Sequence, residues 1–228
     1  MATTFQLSAG IGFRLGSIQP EEAMGTHQDR TQRFEVGAQF SSLSLFEIEH
    51  IPGSPPVDPP SEFRDTQTQA GFGGRFTYNV TPNLAVEVQG DFFPRDLRLF
   101  NNARTGGRTL QGQAGIKLGK RFPSFGVFIK GRPGLISFSH TGTFLGFDNA
   151  QVFPIPLFDE GRRNYFSMDV GGVLEFYPSS RIVTRFDIGD TMIRYGSVVL
   201  PFGFTELIET PPETTHNFQF SAGVGFRF

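Results

Sequence analysis

Apolar and polar residues alternate along most of the chain. Near its end, Phe218, Phe220, Ala222, Val224, Phe226 and Phe228 fall on every second position, with Asn217, Gln219, Ser221, Gly223, Gly225 and Arg227 between them. A period of two places the first set on one face of a β-strand and the second on the other. Residues 4–15 repeat residues 217–228, with eight of twelve aligned positions identical and Arg14 standing where Arg227 stands. Helical periodicity is almost absent. The alternation predicts eight strands, Arg33–Phe46, Gln69–Val80, Leu84–Phe93, Thr109–Phe122, Phe125–Phe138, Asn164–Tyr177, Arg181–Tyr195 and His216–Phe228.

The connections fall into two classes. "VTPNL" (80–84), "RFPSF" (121–125) and "YPSSR" (177–181) are tight and made of turn formers. The segments 47–67, 94–108, 140–163 and 196–215 are long and polar or Pro-rich, "HIPGSPPVDPP" reading as an extended loop. Short and long connections alternate from residue 47 onward. In an antiparallel meander successive connections lie at opposite ends, so one end carries the tight turns and the other the long loops. The expected fold is all-β: a closed antiparallel barrel of eight strands, or of nine or ten if residues 4–15 and "SVVLPFGFTEL" (197–207) supply further staves. Residues 1–30 read as an extra strand-like segment plus linker, and residues 31–228 as one barrel domain.

Composition decides which face of the strands is wet. The chain has 228 residues, 28 Phe and 28 Gly, no Trp and no Cys, and a net charge of −2. The charge gives no basic field for nucleic acid, and without cysteine there is no thiolate chemistry. No run of about 18 apolar residues offers a membrane-spanning helix. "MATTFQ" (1–6) has neither the charged start nor the apolar stretch of a secretory leader. Abundant Phe with a charged complement on the opposite parity fits a lipid-facing exterior around a polar interior. The inverse arrangement, a soluble lipocalin-like barrel with its apolar face inward, has the same periodicity.

With long loops at one end, tight turns at the other, and the aromatics Tyr78, Phe122, Phe125, Phe176 and Tyr177 near the tight turns, residues 31–228 resemble the small bacterial outer-membrane β-barrels of the OmpA/OmpX type. The resemblance implies residence in the bacterial outer membrane and a partnership with its lipid. It also implies recognition of the last strand, ending "GVGFRF" with Gly223, Phe226 and Phe228, by the barrel-assembly machinery. The long loops are then the candidate surface for an extracellular ligand.

If the apolar parity faces out, Arg33, Glu35, Arg75, Glu87, Asp91, Lys117, Lys130, Arg132, Asp169, Glu175, Arg185, Asp187 and Arg227 face in. An eight-stranded barrel is only just wide enough for its own side chains. Such a set, nearly balanced in sign, must pair, and it reads as a polar plug; a narrow ion path with switching pairs is the alternative. Catalysis is not expected. The best nucleophile–base candidate, Ser139 beside His140, lies on adjacent residues, which point to opposite faces of a regular strand. Asp58, Glu62, Asp65, Asp159 and Glu160 match no calcium-loop spacing, and "GFGG" (71–74) and "GGV" (171–173) precede no helix and so cradle no phosphate. No metal or cofactor is expected. The function that follows is a structural envelope or loop-mediated binding role, with a minor pore as the alternative.

Overall fold

Each predicted strand forms, and most run further than the alternation alone shows. The structure, a computed structural model, describes residues 33–49, 63–97, 104–148, 155–202 and 206–228. Its strands are β1 (Phe34–Glu49), β2 (Phe63–Asn79), β3 (Leu84–Leu97), β4 (Gly107–Arg121), β5 (Phe125–Asp148), β6 (Ile155–Phe176), β7 (Ile182–Tyr195), β8 (Val198–Phe202), β9 (Glu206–Thr210) and β10 (Glu213–Arg227). Most of the segment 140–163, read above as a loop, is a continuation of the β5–β6 ladder, which pairs as far as Asp148 with Ile155.

Eight of these strands close a barrel in the order β1-β10-β7-β6-β5-β4-β3-β2, all of them antiparallel. The last residue completes the closure: Phe34 N–H donates to Phe228 O at 3.2 Å and Phe228 N–H donates to Phe34 O at 3.0 Å. Both edges of β1 are thereby occupied, one by β10 and the other by β2. The ladder closes on eight described strands, not nine or ten. The described residues of the stretch 197–207 supply no stave; β8 and β9 form a two-stranded sheet of their own. The N-terminal repeat, residues 4–15, lies outside the described residues, as do Asp58 and Glu62.

The tight turns are held by their own side chains. Thr81 Oγ1 accepts from the N–H groups of Asn83 (3.2 Å) and Leu84 (3.0 Å), and Ser179 Oγ accepts from that of Ile182 at 3.1 Å. These short hydroxyl-capped turns make register cheap to specify at this end.

The barrel is inside-out relative to a soluble protein. Ile129 is 67% exposed and Phe72 60% exposed on the outer wall, while Lys117, Arg132 and Arg185 are fully buried in the lumen. Along β10 the apolar exterior runs from Phe218 to Phe228, about 34 Å of extended chain and, at the usual barrel tilt, about 26 Å of height. That height matches a hydrocarbon layer, and closure leaves no ladder edge bare to lipid.

Above this belt the polarity inverts. On β1, Phe34, Val36 and Phe40 face out below, but Ser42 and Ser44 stand outward above, opposite Ala70 and Thr68 of β2, and Leu43 and Leu45 turn into the lumen. On β3, Phe92 faces out and its neighbour Phe93 is fully buried inside. On these strands the upper wall therefore turns apolar residues inward and places serines outside, although Phe46 on β1 and Leu135 on β5 still face out.

Candidate functional site

The lumen contains three layers. The lowest, toward the tight turns, is ionic. Twelve of the thirteen residues assigned to the interior are buried there: Glu35, Arg75, Glu87, Asp91, Lys117, Lys130, Arg132, Asp169, Glu175, Arg185, Asp187 and Arg227. They come from every barrel strand, because strand parity alone brings them to the same side of the wall. Arg33 is the exception and a correction. It is exposed one residue before β1 begins, where its guanidinium reaches water and only its carbonyl joins the ladder, accepting from Asn79 N–H at 2.7 Å.

Arg185 organises the centre. Its Nη2 donates to Glu87 Oε2 at 2.9 Å and its Nε to Asp187 Oδ2 at 2.7 Å, while Nη1 bonds Glu87 Oε1. Lys117 bridges Glu87 at 3.3 Å and also pairs with Glu175. Lys130 lies 2.8 Å from Asp169 and 3.4 Å from Asp187, and Arg132 Nε donates to Asp169 at 3.0 Å. Lower down, Glu35 is shared by Arg75 (3.3 Å) and Arg227 (3.1 Å), and Arg227 reaches Glu175 at 3.1 Å. Asp91 pairs with no cation among the described residues; Ser41 Oγ (2.6 Å), Gln39 Nε2 (2.7 Å) and Gln89 Nε2 (2.6 Å) donate to it instead. Six cations face six anions, so the desolvation cost of each buried charge is offset by a partner of opposite sign or by neutral donors.

Two members of this floor keep the inward parity but lie beyond the interior set read from the sequence. Arg121 is half-buried, donating to Tyr177 Oη and Asn79 Oδ1, each at 3.1 Å. Tyr177, expected among the interfacial aromatics, instead donates to Glu175 at 3.0 Å beneath the Arg227 guanidinium. Both sit at strand ends, in stretches read as turns. The parity of Lys117 and Gly119, continued two residues, is the signal that would have found Arg121.

The middle layer is neutral. Gln111 and Gln219 exchange amide hydrogen bonds at 3.3 and 3.1 Å, Thr191 donates to Gln219 at 2.6 Å, and Ser41 and Ser221 bond at 2.9 Å.

The top layer is apolar. Leu43, Leu45, Phe93, Leu97, Ile136, Phe138, Ile193 and Tyr195 pack into one buried cluster, with Tyr165 against it. Tyr165 stacks edge-on to Tyr195 at 4.8 Å and tilted to Phe138 at 6.0 Å. The lumen is thus closed twice, by an ion-pair network and by a greasy cap on the long-loop side. A soluble lipocalin-like barrel would need its apolar lining along the whole interior, and the charged lower lumen excludes it. The chain has the architecture of a membrane-spanning β-barrel, closed, apolar outside and charged within.

No protein-family model matches the sequence, nor does any curated protein. Among solved structures, the barrel is similar to the outer membrane protein OprG from Pseudomonas aeruginosa, at 12% identity and a TM-score of 0.46 over 86% of this chain and 96% of that one. It is also similar to Ail, the attachment invasion locus protein of Yersinia pestis, at 14% identity and a TM-score of 0.41 over 86% and 99%. The outer membrane protease OmpT from Escherichia coli aligns at 7% identity and a TM-score of 0.40 over 91% and 99%. At these identities only the barrel outline is shared.

The expectation that Ser139 and His140 face apart is overturned. Between the pairs Phe138–Arg163 and Thr141–Gly161, β5 has two residues where β6 has one. This bulge swings both side chains to the same side, and Ser139 Oγ lies 3.0 Å from His140 Nδ1. Ser139 Oγ also accepts from Arg108 N–H at 2.8 Å. Among the described residues no group of three metal-ligating side chains converges. Gly223 packs where a Cβ would meet Ala38 O at 2.5 Å, and Phe226 and Phe228 lie on the outer wall, 48% and 57% exposed.

Proposed function

We propose that the protein is an integral, non-enzymatic outer-membrane barrel that does not conduct, and that its role is carried by the surface it raises above the membrane. The observation that carries this reading is the double seal of the lumen. An ion path would have to break the Arg185–Glu87–Lys117 network and also wet the cap of Leu43, Phe93, Phe138 and Ile193, two independent rearrangements. What remains available is the upper wall and the long connections, where the polarity inversion lifts the β5–β6 ladder beyond the hydrocarbon layer. A second structure of Ail is in complex with the heparin analogue sucrose octasulfate. The last strand, with Gly223, Phe226 and Phe228, fits as the segment engaged by the barrel-assembly machinery, since it is the strand that closes the barrel.

Liposome swelling tests the reading. Vesicles carrying the folded barrel should swell in small sugars at the rate of protein-free vesicles. Swelling that scales with protein content and falls with solute size would overturn it.

A further inference from the structure

A cavity of about 280 Å³ opens between the raised β5–β6 ladder and the start of β8, beside the apolar cap. Its walls include Thr143, Phe144, Arg163, Tyr165, Ser197 and Val199. Arg163 is the cross-strand partner of the fully buried Phe138 and so shares its face of the ladder, though at the rim it is itself exposed, whereas Arg162, opposite the bulge, falls on the other face. The Arg163 guanidinium is held by a bond from Nη2 to Thr143 Oγ1 at 2.5 Å and has no carboxylate partner among the described residues. Asp159 pairs in register with Thr143 but does not line the cavity. The Tyr165 ring is fixed by Tyr195 and Phe138, and its hydroxyl has no hydrogen-bond partner among the described residues.

The geometry points to a binding site for a small organic anion, a carboxylate or sulfate ester carried on a body about the size of one sugar ring. The Arg163 guanidinium, the hydroxyls of Tyr165, Thr143 and Ser197, and Asn164 border the space, and among the described residues no acidic side chain does. A guanidinium anchored on one side and free on the other offers a parallel pair of N–H groups to a carboxylate or sulfate. Phe144, Val198 and Val199 give the remaining wall an apolar surface for the ring or alkyl body. The volume is at the lower end for small-molecule sites, which limits the occupant to a single compact unit. This inference rests on the reading of the upper wall as the working surface and names the class of ligand for one place on it.

The test is a titration of the full-length, micelle-folded barrel followed by the backbone amide resonances of Gly142, Gly196 and Ser197. Glucuronate should shift them saturably and glucose should not. R163Q should weaken glucuronate binding about tenfold or more, the worth of a charge-assisted pair, while R162Q, which removes the same charge from the outer face, should leave it within about twofold. No saturable shift, an equal response to glucose, or an equal loss in R162Q would each overturn the proposal. The swelling assay reads the seal independently, so failure here leaves that result standing, and the reverse.

Discussion

Arg185 shows how tightly the lower lumen is determined. Its guanidinium makes four hydrogen bonds to two carboxylates in a fully buried position. Removing it strands Glu87 and Asp187 without their principal cation, a loss of about 3–5 kcal/mol for a broken buried pair. Phe72→Ala on the lipid face removes only packing against lipid and Phe92, so it should cost clearly less. Urea unfolding of the two variants in the same micelles reads the difference; equal midpoints would show that the network does not hold the barrel. Gly73 is a second sensitive point, because a Cβ there would meet Gly90 O at 2.1 Å and Asp91 Oδ1 at 2.4 Å. Gly73→Val should disturb the β2–β3 ladder and release Asp91 from its donors, lowering the midpoint relative to Gly112→Val, where a Cβ meets nothing within 4 Å.

At the level of elements, the separation of β8–β9 from the barrel has a direct consequence. The barrel ladder passes from β7 to β10 without them. Replacing residues 198–210 by a short Gly-Ser linker should leave a barrel that resists SDS and migrates faster unheated than boiled; loss of that species would make the hairpin part of the fold. Strand parity was legible in the sequence because lipid and charge enforce it residue by residue along the lower wall. The cap was not, because the apolar parity was carried unbroken to the strand ends. The signal for it lies in the paired residues Ser41–Ser42 and Phe92–Phe93, where two like residues in succession shift the apolar set from the outer face to the inner one. The Ser139–His140 contact was hidden for a different reason. A bulge changes the count of residues between strands, and no alternation within one strand reports its partner's count.

Taken as a whole molecule, the fold is set by two solvents, lipid below the inversion and water above it, and by one requirement, that all eight ladders pair. Every described stave comes from residues 34–227, and these already close the barrel. Deleting residues 1–30 should therefore leave a folded, heat-modifiable barrel, and a truncated chain unable to form one would make the N-terminal repeat an integral part. The central claim is the double seal, and single-channel recording in planar bilayers tests it most directly. The intact chain should show no discrete conductance steps, and neither should the cap variant Phe93→Ala/Phe138→Ala, in which the ion-pair network still fills the lumen. Reproducible openings of the intact chain at moderate voltage would contradict it.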